Sequence, residues 1–135
     1  MFDVSGGQVP SPRISEQEIL DFAARIGVQA KRERVAKSQF EQIIASLESS
    51  EDEKVCLLVT TLFVFRQASR MRFENTAKEI GRALSYLYDR NGTKQDARKL
   101  LGLAKWAFEC ADKWGLDRAK DFGDFLRQIL GRGHV

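Results

Sequence analysis

Apolar residues recur every three or four positions through most of the chain, the period of a helix with one buried face. The first stretch follows Ser15-Glu16-Gln17-Glu18, a capping-box pattern, and carries Ile19, Leu20, Phe22, Ala23 and Ile26, with Gly27 as the expected stop. KRERVAK, residues 31–37, either leads into a second helix or forms a basic loop. Ser38 and Glu41 repeat the capping box around Phe40, Ile43, Ile44 and Leu47. Ser50 and Glu53 announce a third helix, Val55 to Met71, whose middle is apolar on all sides. Its β-branched VTTLFV could suit a strand, but with no turn signal to break it the segment reads as one central buried helix. Asn75 is placed to cap a fourth helix carrying Ile80, Ala83, Leu84 and Leu87 and ending at Asn91-Gly92. Thr93 and Asp96 open a fifth, with Ala97, Leu100, Leu101, Ala104, Ala107, Phe108 and Ala111 inward and Gly115 as its stop. Leu116 to Leu130 forms a sixth, with Phe122, Phe125, Leu126 and Ile129.

No strand period or hairpin signal appears, so the expected fold is all-α, a compact bundle of five to six helices with short loops. A chain of 135 residues supports one core. The domain is placed at residues 14–131, behind a flexible N-terminal arm, residues 1–13, in which SGGQVPSPR is rich in Gly, Pro and Ser.

Composition changes this picture little: 43% hydrophobic and 30% charged residues are ordinary for a folded soluble protein. The formal charge is only +3, and most of the Lys and Arg lie between residues 54 and 113, so any positive surface is local. Cys56 and Cys110, each in an apolar pattern, read as buried free thiols. Met1 to Arg13 lacks the apolar segment of a cleavable signal, and the longest apolar run is about half of the ~20 residues of a membrane span. The expectation is a cytoplasmic protein.

Catalytic chemistry lacks its parts. His134 is the sole histidine, which leaves no Ser-His or Cys-His pair and no multi-histidine zinc site, and no nucleotide-binding glycine motif is present. Asp117, Asp121 and Asp124 alternate with Arg118, Lys120 and Arg127, the pattern of an ion-paired solvated face rather than a metal site. The reading is therefore non-enzymatic, with no cofactor and no metal.

The informative residues are basic. LLVTTLFVFRQASRMR, residues 57–72, turns from apolar to Arg66, Arg70 and Arg72. Arg66 with Arg70, Lys78 with Arg82, and Lys94 with Arg98 are pairs four residues apart, each sharing a helix face, and Lys105 follows the last. Like charges so spaced repel by a few tenths of a kcal/mol, which a bound anion would offset. Ordinary structural uses compete: the arginines complement a helix C-terminus, and either Arg82 can pair with Glu79 or Lys78 with Glu74. Phe63, Phe65 and Phe73 read as core, while Trp106, Trp114, Tyr86 and Tyr88 cannot all be buried.

Phe65-Arg66-Gln67-Ala68-Ser69-Arg70 resembles the aromatic-x-Gln-Ala-Gly-Arg tract of the small-subunit family of type III-A, or Csm-type, CRISPR effector complexes. Lys37-Ser38-Gln39-Phe40 and Lys113-Trp114-Gly115 resemble two further tracts in the family's order, and the three span about residues 36 to 116. Ser69 stands where the family has glycine, Glu41 where it usually has a basic residue, and Leu116 where it has a second glycine. The resemblance implies a non-catalytic subunit, stacked with itself and partner effector subunits, that contacts the phosphate backbone of single-stranded target RNA near the guide RNA. It carries over Gln67 and Arg70, and Lys37 in place of the residue at Glu41. The alternative is a helical adaptor between proteins with no nucleic-acid role.

Overall fold

In the computed structural model, which describes residues 13–132, Ser15 opens α1 (Glu16–Arg32) with a full capping box. Its hydroxyl accepts from the Glu18 N–H, and the Glu18 carboxylate accepts from the Ser15 N–H. Contrary to expectation, Gly27 does not stop this helix. A Cβ at Gly27 would lie 2.6 Å from both the Ala107 Cβ and the Phe108 backbone nitrogen, so the glycine lets α1 and α5 (Lys94–Trp114) meet backbone to backbone.

The other helices are α2 (Lys37–Ser46), followed by a 3₁₀ turn at Leu47–Ser49, then α3 (Glu53–Met71), α4 (Glu74–Asp89) and α6 (Phe122–Arg132). With six helices and no strand among the described residues, the fold is the expected all-α bundle. The proposed arm lies outside the described residues except for Arg13, which is held by Asp96 at 3.0 Å.

Several boundaries depart from the local pattern. α2 begins at Lys37 behind Ala36 with no side-chain cap, so Ser38 and Glu41 form no box. α3 is capped by Asp52, which accepts from the Lys54 and Val55 N–H groups, while Ser50 supports Asp52 instead. Asn75 caps nothing. The start of α4 is capped by Glu33, whose carboxylate accepts from the Asn75 N–H at 3.2 Å, the Thr76 N–H at 2.6 Å and the Thr76 hydroxyl at 2.7 Å. At α5, by contrast, the box at Thr93 and Asp96 forms and Gly115 ends the helix at φ 67°, as read. The sixth helix starts only at Phe122; Leu116 is buried in the connection before it.

Side-chain contacts fix the helix directions. Glu16 meets Lys99, Gly27 meets Ala107 and Lys31 meets Asp117, so α1 and α5 run parallel. Tyr86 meets Glu18 while Thr76 meets Glu33, so α4 runs against α1. Phe65 packs on Gly81 while Lys54 reaches the Tyr88 carbonyl, so α3 runs against α4. Lys37 meets Glu109 and Lys105 meets Glu41, so α2 runs against α5. One end of the bundle therefore collects the C-termini of α1, α3 and α5 with the N-termini of α2 and α4.

The main core is built from Ile26, Phe40, Leu57, Ile80, Leu84, Leu100 and their neighbours, and a smaller one, around Val28, Ala111, Leu116 and Phe125, joins α6 to α1 and α5. α3 is not the buried centre its sequence suggested. Cys56, Leu57, Thr60, Val64 and Ala68 face inward, but Val55, Leu58, Leu62 and Phe65 form an exposed apolar stripe, with Leu62 72% accessible. Phe65 is thus only partly core, Cys110 is exposed rather than buried, and Trp106 stands 68% exposed. No helix among the described residues is long and apolar enough to cross a membrane.

Two tests follow from this packing. Gly27→Ala should destabilise the fold by about 1–3 kcal/mol because the backbones at the crossing cannot yield freely. Gly102→Ala, with nothing within 4 Å of the added carbon, should stabilise it by about 0.5–1 kcal/mol; urea unfolding compares the two. The second concerns Glu18, whose carboxyl is held below its ordinary range by the Tyr86 hydroxyl and then the Ser15 N–H. A depressed carboxylate contributes stability at neutral pH that is lost as pH falls through the folded-state value. Tyr86→Phe should move the Glu18 titration upward, read by NMR, and bring acid unfolding to higher pH.

Candidate nucleic-acid interface

Charge is distributed unevenly between the two ends. At the end holding the N-termini of α1, α3 and α5, cations have partners: Arg13 with Asp96, Lys99 with Glu16, and Lys94 and Arg98 both with Glu48. Lys54 bonds the Tyr88 carbonyl, and Arg90 lies 3.4 Å from the centre of the Tyr86 ring. At the opposite end Lys31 and Lys37 are paired with Asp117 and Glu109. Arg34, Arg66, Arg70, Arg72 and Lys78 gather there with no ion pair among the described residues, and all five are exposed. Lys120 and Arg127, also without an ion pair, face Asp124 beside α6.

Arg66 and Arg70 project from the last two turns of α3, and Arg72 closes the helix. Cations there complement the helix C-terminus by about 0.3–1 kcal/mol, which accounts for Arg70 most directly. It does not account for the backbone of Arg72. That residue adopts φ 62°, ψ 51°, the left-handed conformation that glycine normally supplies at a helix end. Arg34, in the turn after α1, does the same at φ 58°. Among the described residues the only other non-glycine positive φ is at Asn91, a residue type that tolerates it. Two guanidinium groups without acid partners thus sit at strained positions on one end of the bundle, and strain of this kind collects at functional sites.

Gln67 is not part of this surface. It is 9% exposed; its amide N–H₂ group points to the side-chain oxygens of Gln39 (3.3 Å) and Gln42 (3.4 Å), and its own oxygen accepts from Arg66. Its role is to tie α3 to α2 and orient Arg66.

The other sequence-derived candidates disperse. Lys94 and Arg98 lie at the far end on Glu48, Lys105 is paired with Glu41 at 3.2 Å, and Arg82 with Glu79 at 2.5 Å. Lys37 holds Glu109 at 2.7 Å; that contact raises the lysine's pKa and lowers the glutamate's. Of the two alternatives, Arg82–Glu79 forms and no Lys78–Glu74 pair is present among the described residues, which leaves Lys78 exposed on α4. The local sequence does not single out Arg34, because KRERVAK does not reveal where α1 ends.

The exposed groups are guanidinium forks, suited to paired hydrogen bonds with phosphate oxygens. No group of His, Cys, Asp and Glu among the described residues could hold a metal ion. No family model, curated protein or solved structure matches the chain.

If Arg34 and Arg72 are retained at a cost in stability, glycine should relieve it. Arg34→Gly and Arg72→Gly should each leave stability equal or raise it by up to about 1 kcal/mol in urea unfolding, because relief of the left-handed strain exceeds glycine's entropy loss.

Proposed function

We propose that this chain is a non-catalytic RNA-binding subunit of a ribonucleoprotein, of the Csm-type small-subunit kind, that holds the RNA phosphate backbone without reading its bases. The observation that carries the reading is the arginine group of Arg66, Arg70 and Arg72 with Arg34: exposed, without acid partners among the described residues, and gathered at one end of the bundle, whereas Lys94, Arg98 and Lys99 at the other end are held by Glu48 and Glu16. Phosphate contacts position a strand and carry no sequence information.

The apolar stripe of α3 supports the second half of the proposal, contact with partner subunits or further copies of the chain. Val55, Leu58, Leu62 and Phe65 lead along the helix directly to Arg66. An exposed row of this kind is characteristic of a protein-contact surface. The same stripe is what favours the alternative, an adaptor with no nucleic-acid role, and RNA binding separates the two.

A labelled single-stranded RNA of about 30 nucleotides, titrated at two salt concentrations, should bind weakly, with log K falling by about 0.7 per phosphate contacted for each decade of salt. The Arg66→Glu, Arg70→Glu double variant, its helicity checked by circular dichroism, should lose that binding. Binding unchanged in the variant would move the contact away from α3; no binding by either protein at low salt would favour the adaptor.

A further inference from the structure

A polar recess lies away from α3. It is a cleft of about 630 Å³ lined by Arg32, Asp117, Arg118 and Gln128, between the end of α1, the α5–α6 connection and α6. A second hollow of about 220 Å³ shares Arg32, Asp117 and Arg118 and extends the cleft along α1 past Gln29 to Arg25 and Glu79.

The two carboxylates among the described lining residues already have cationic partners. Asp117 accepts from Lys31 at 2.6 Å, and Glu79 lies between Arg25 at 3.6 Å and Arg82 at 2.5 Å. The exposed guanidinium groups of Arg32 and Arg118 have no acid partner among the described residues, so the walls keep an excess of positive charge. Gln128 donates to the Arg118 carbonyl at 2.9 Å and fixes the connection that carries this arginine. Two arginine forks facing a recess of nucleotide size favour a ligand with several anionic oxygens in one plane or tetrahedron.

Position identifies the source of those oxygens. Arg32 and Arg34 flank Glu33, and Glu33 caps α4 at Asn75 and Thr76, just beyond Arg72. One helix cap therefore joins the cleft to the arginines of α3. We infer that the cleft is a second phosphate-binding site, in which Arg32 and Arg118 take phosphodiester groups of the same RNA strand that crosses Arg66, Arg70 and Arg72. The choice of RNA as ligand rests on the function proposed above; the phosphate chemistry of the cleft does not.

The test uses the full chain, isotope-labelled, with inorganic triphosphate as probe at low salt. Saturable shifts are expected at the Arg32 and Arg118 amides and the Gln128 side chain. They should vanish in the Arg32→Gln, Arg118→Gln variant and persist in Arg66→Glu, Arg70→Glu. Absence of these shifts, or their persistence in the cleft variant, overturns the site. With RNA, the cleft variant should lower the slope of log K against log salt by about 1.4, two contacts at 0.7 each for a single strand. A slope equal to that of the unaltered protein overturns the shared path. Failure of the unaltered protein to bind RNA, with the triphosphate shifts intact, would count against the RNA reading and leave the cleft a phosphate site.

Discussion

The close crossing of α1 and α5 at Gly27 is the contact on which the arrangement depends. With no Cβ at that point, two helices that are adjacent in space but distant in sequence lie parallel, and their C-termini finish together. α4 then returns against α1, and α3 against α4, so the end of α3 arrives at the same place. Three helix C-termini with partial negative charge therefore share one end, which favours cations in their last turns. Folding energetics already favour a cation at Lys31, Arg32, Arg70 and Lys113, whatever else those side chains hold. That does not extend to Arg34 and Arg72, which lie beyond the helices in a conformation arginine adopts at a cost. At these two residues the backbone cost has no offset from the helix dipole.

How legible the fold was depends on whether the deciding contact was local. The boxes at Ser15 and Thr93 and the glycine stop at Gly115 involve residues a few positions apart, and they formed as read. The cap of α4 comes from Glu33, 43 residues before Thr76, and nothing near Asn75 discloses it. Gly27 looked like a stop because a glycine that ends a helix and one that admits a neighbour's backbone are identical in sequence. The apolar middle of α3 suggests burial on all sides for a related reason. Periodicity reports which faces avoid water, not whether this chain or another supplies the cover.

The basic residues show the same limit. Spacing of four puts Arg66 with Arg70 and Lys94 with Arg98 on equal terms, because Glu48, which neutralises the second pair, comes from the turn after α2. Gln67 stood beside the arginines in sequence, yet the face of α3 that packs on α2 buries it. Spacing along a helix specifies a shared face. Only tertiary placement determines whether acids or solvent lie opposite that face.

On α3 the two proposed contacts occupy one helix. An exposed ion pair or phosphate contact is worth little in water, roughly 0–1 kcal/mol, because solvent screens it. A partner seated on Val55, Leu58, Leu62 and Phe65 would remove water up to the side of Arg66, and charge interactions strengthen as the local dielectric falls. Assembly and backbone binding would then reinforce each other through proximity alone, with no change of fold. The weak affinity expected of the isolated chain is a consequence of the same physics, since the cover that would strengthen its arginines is not part of it.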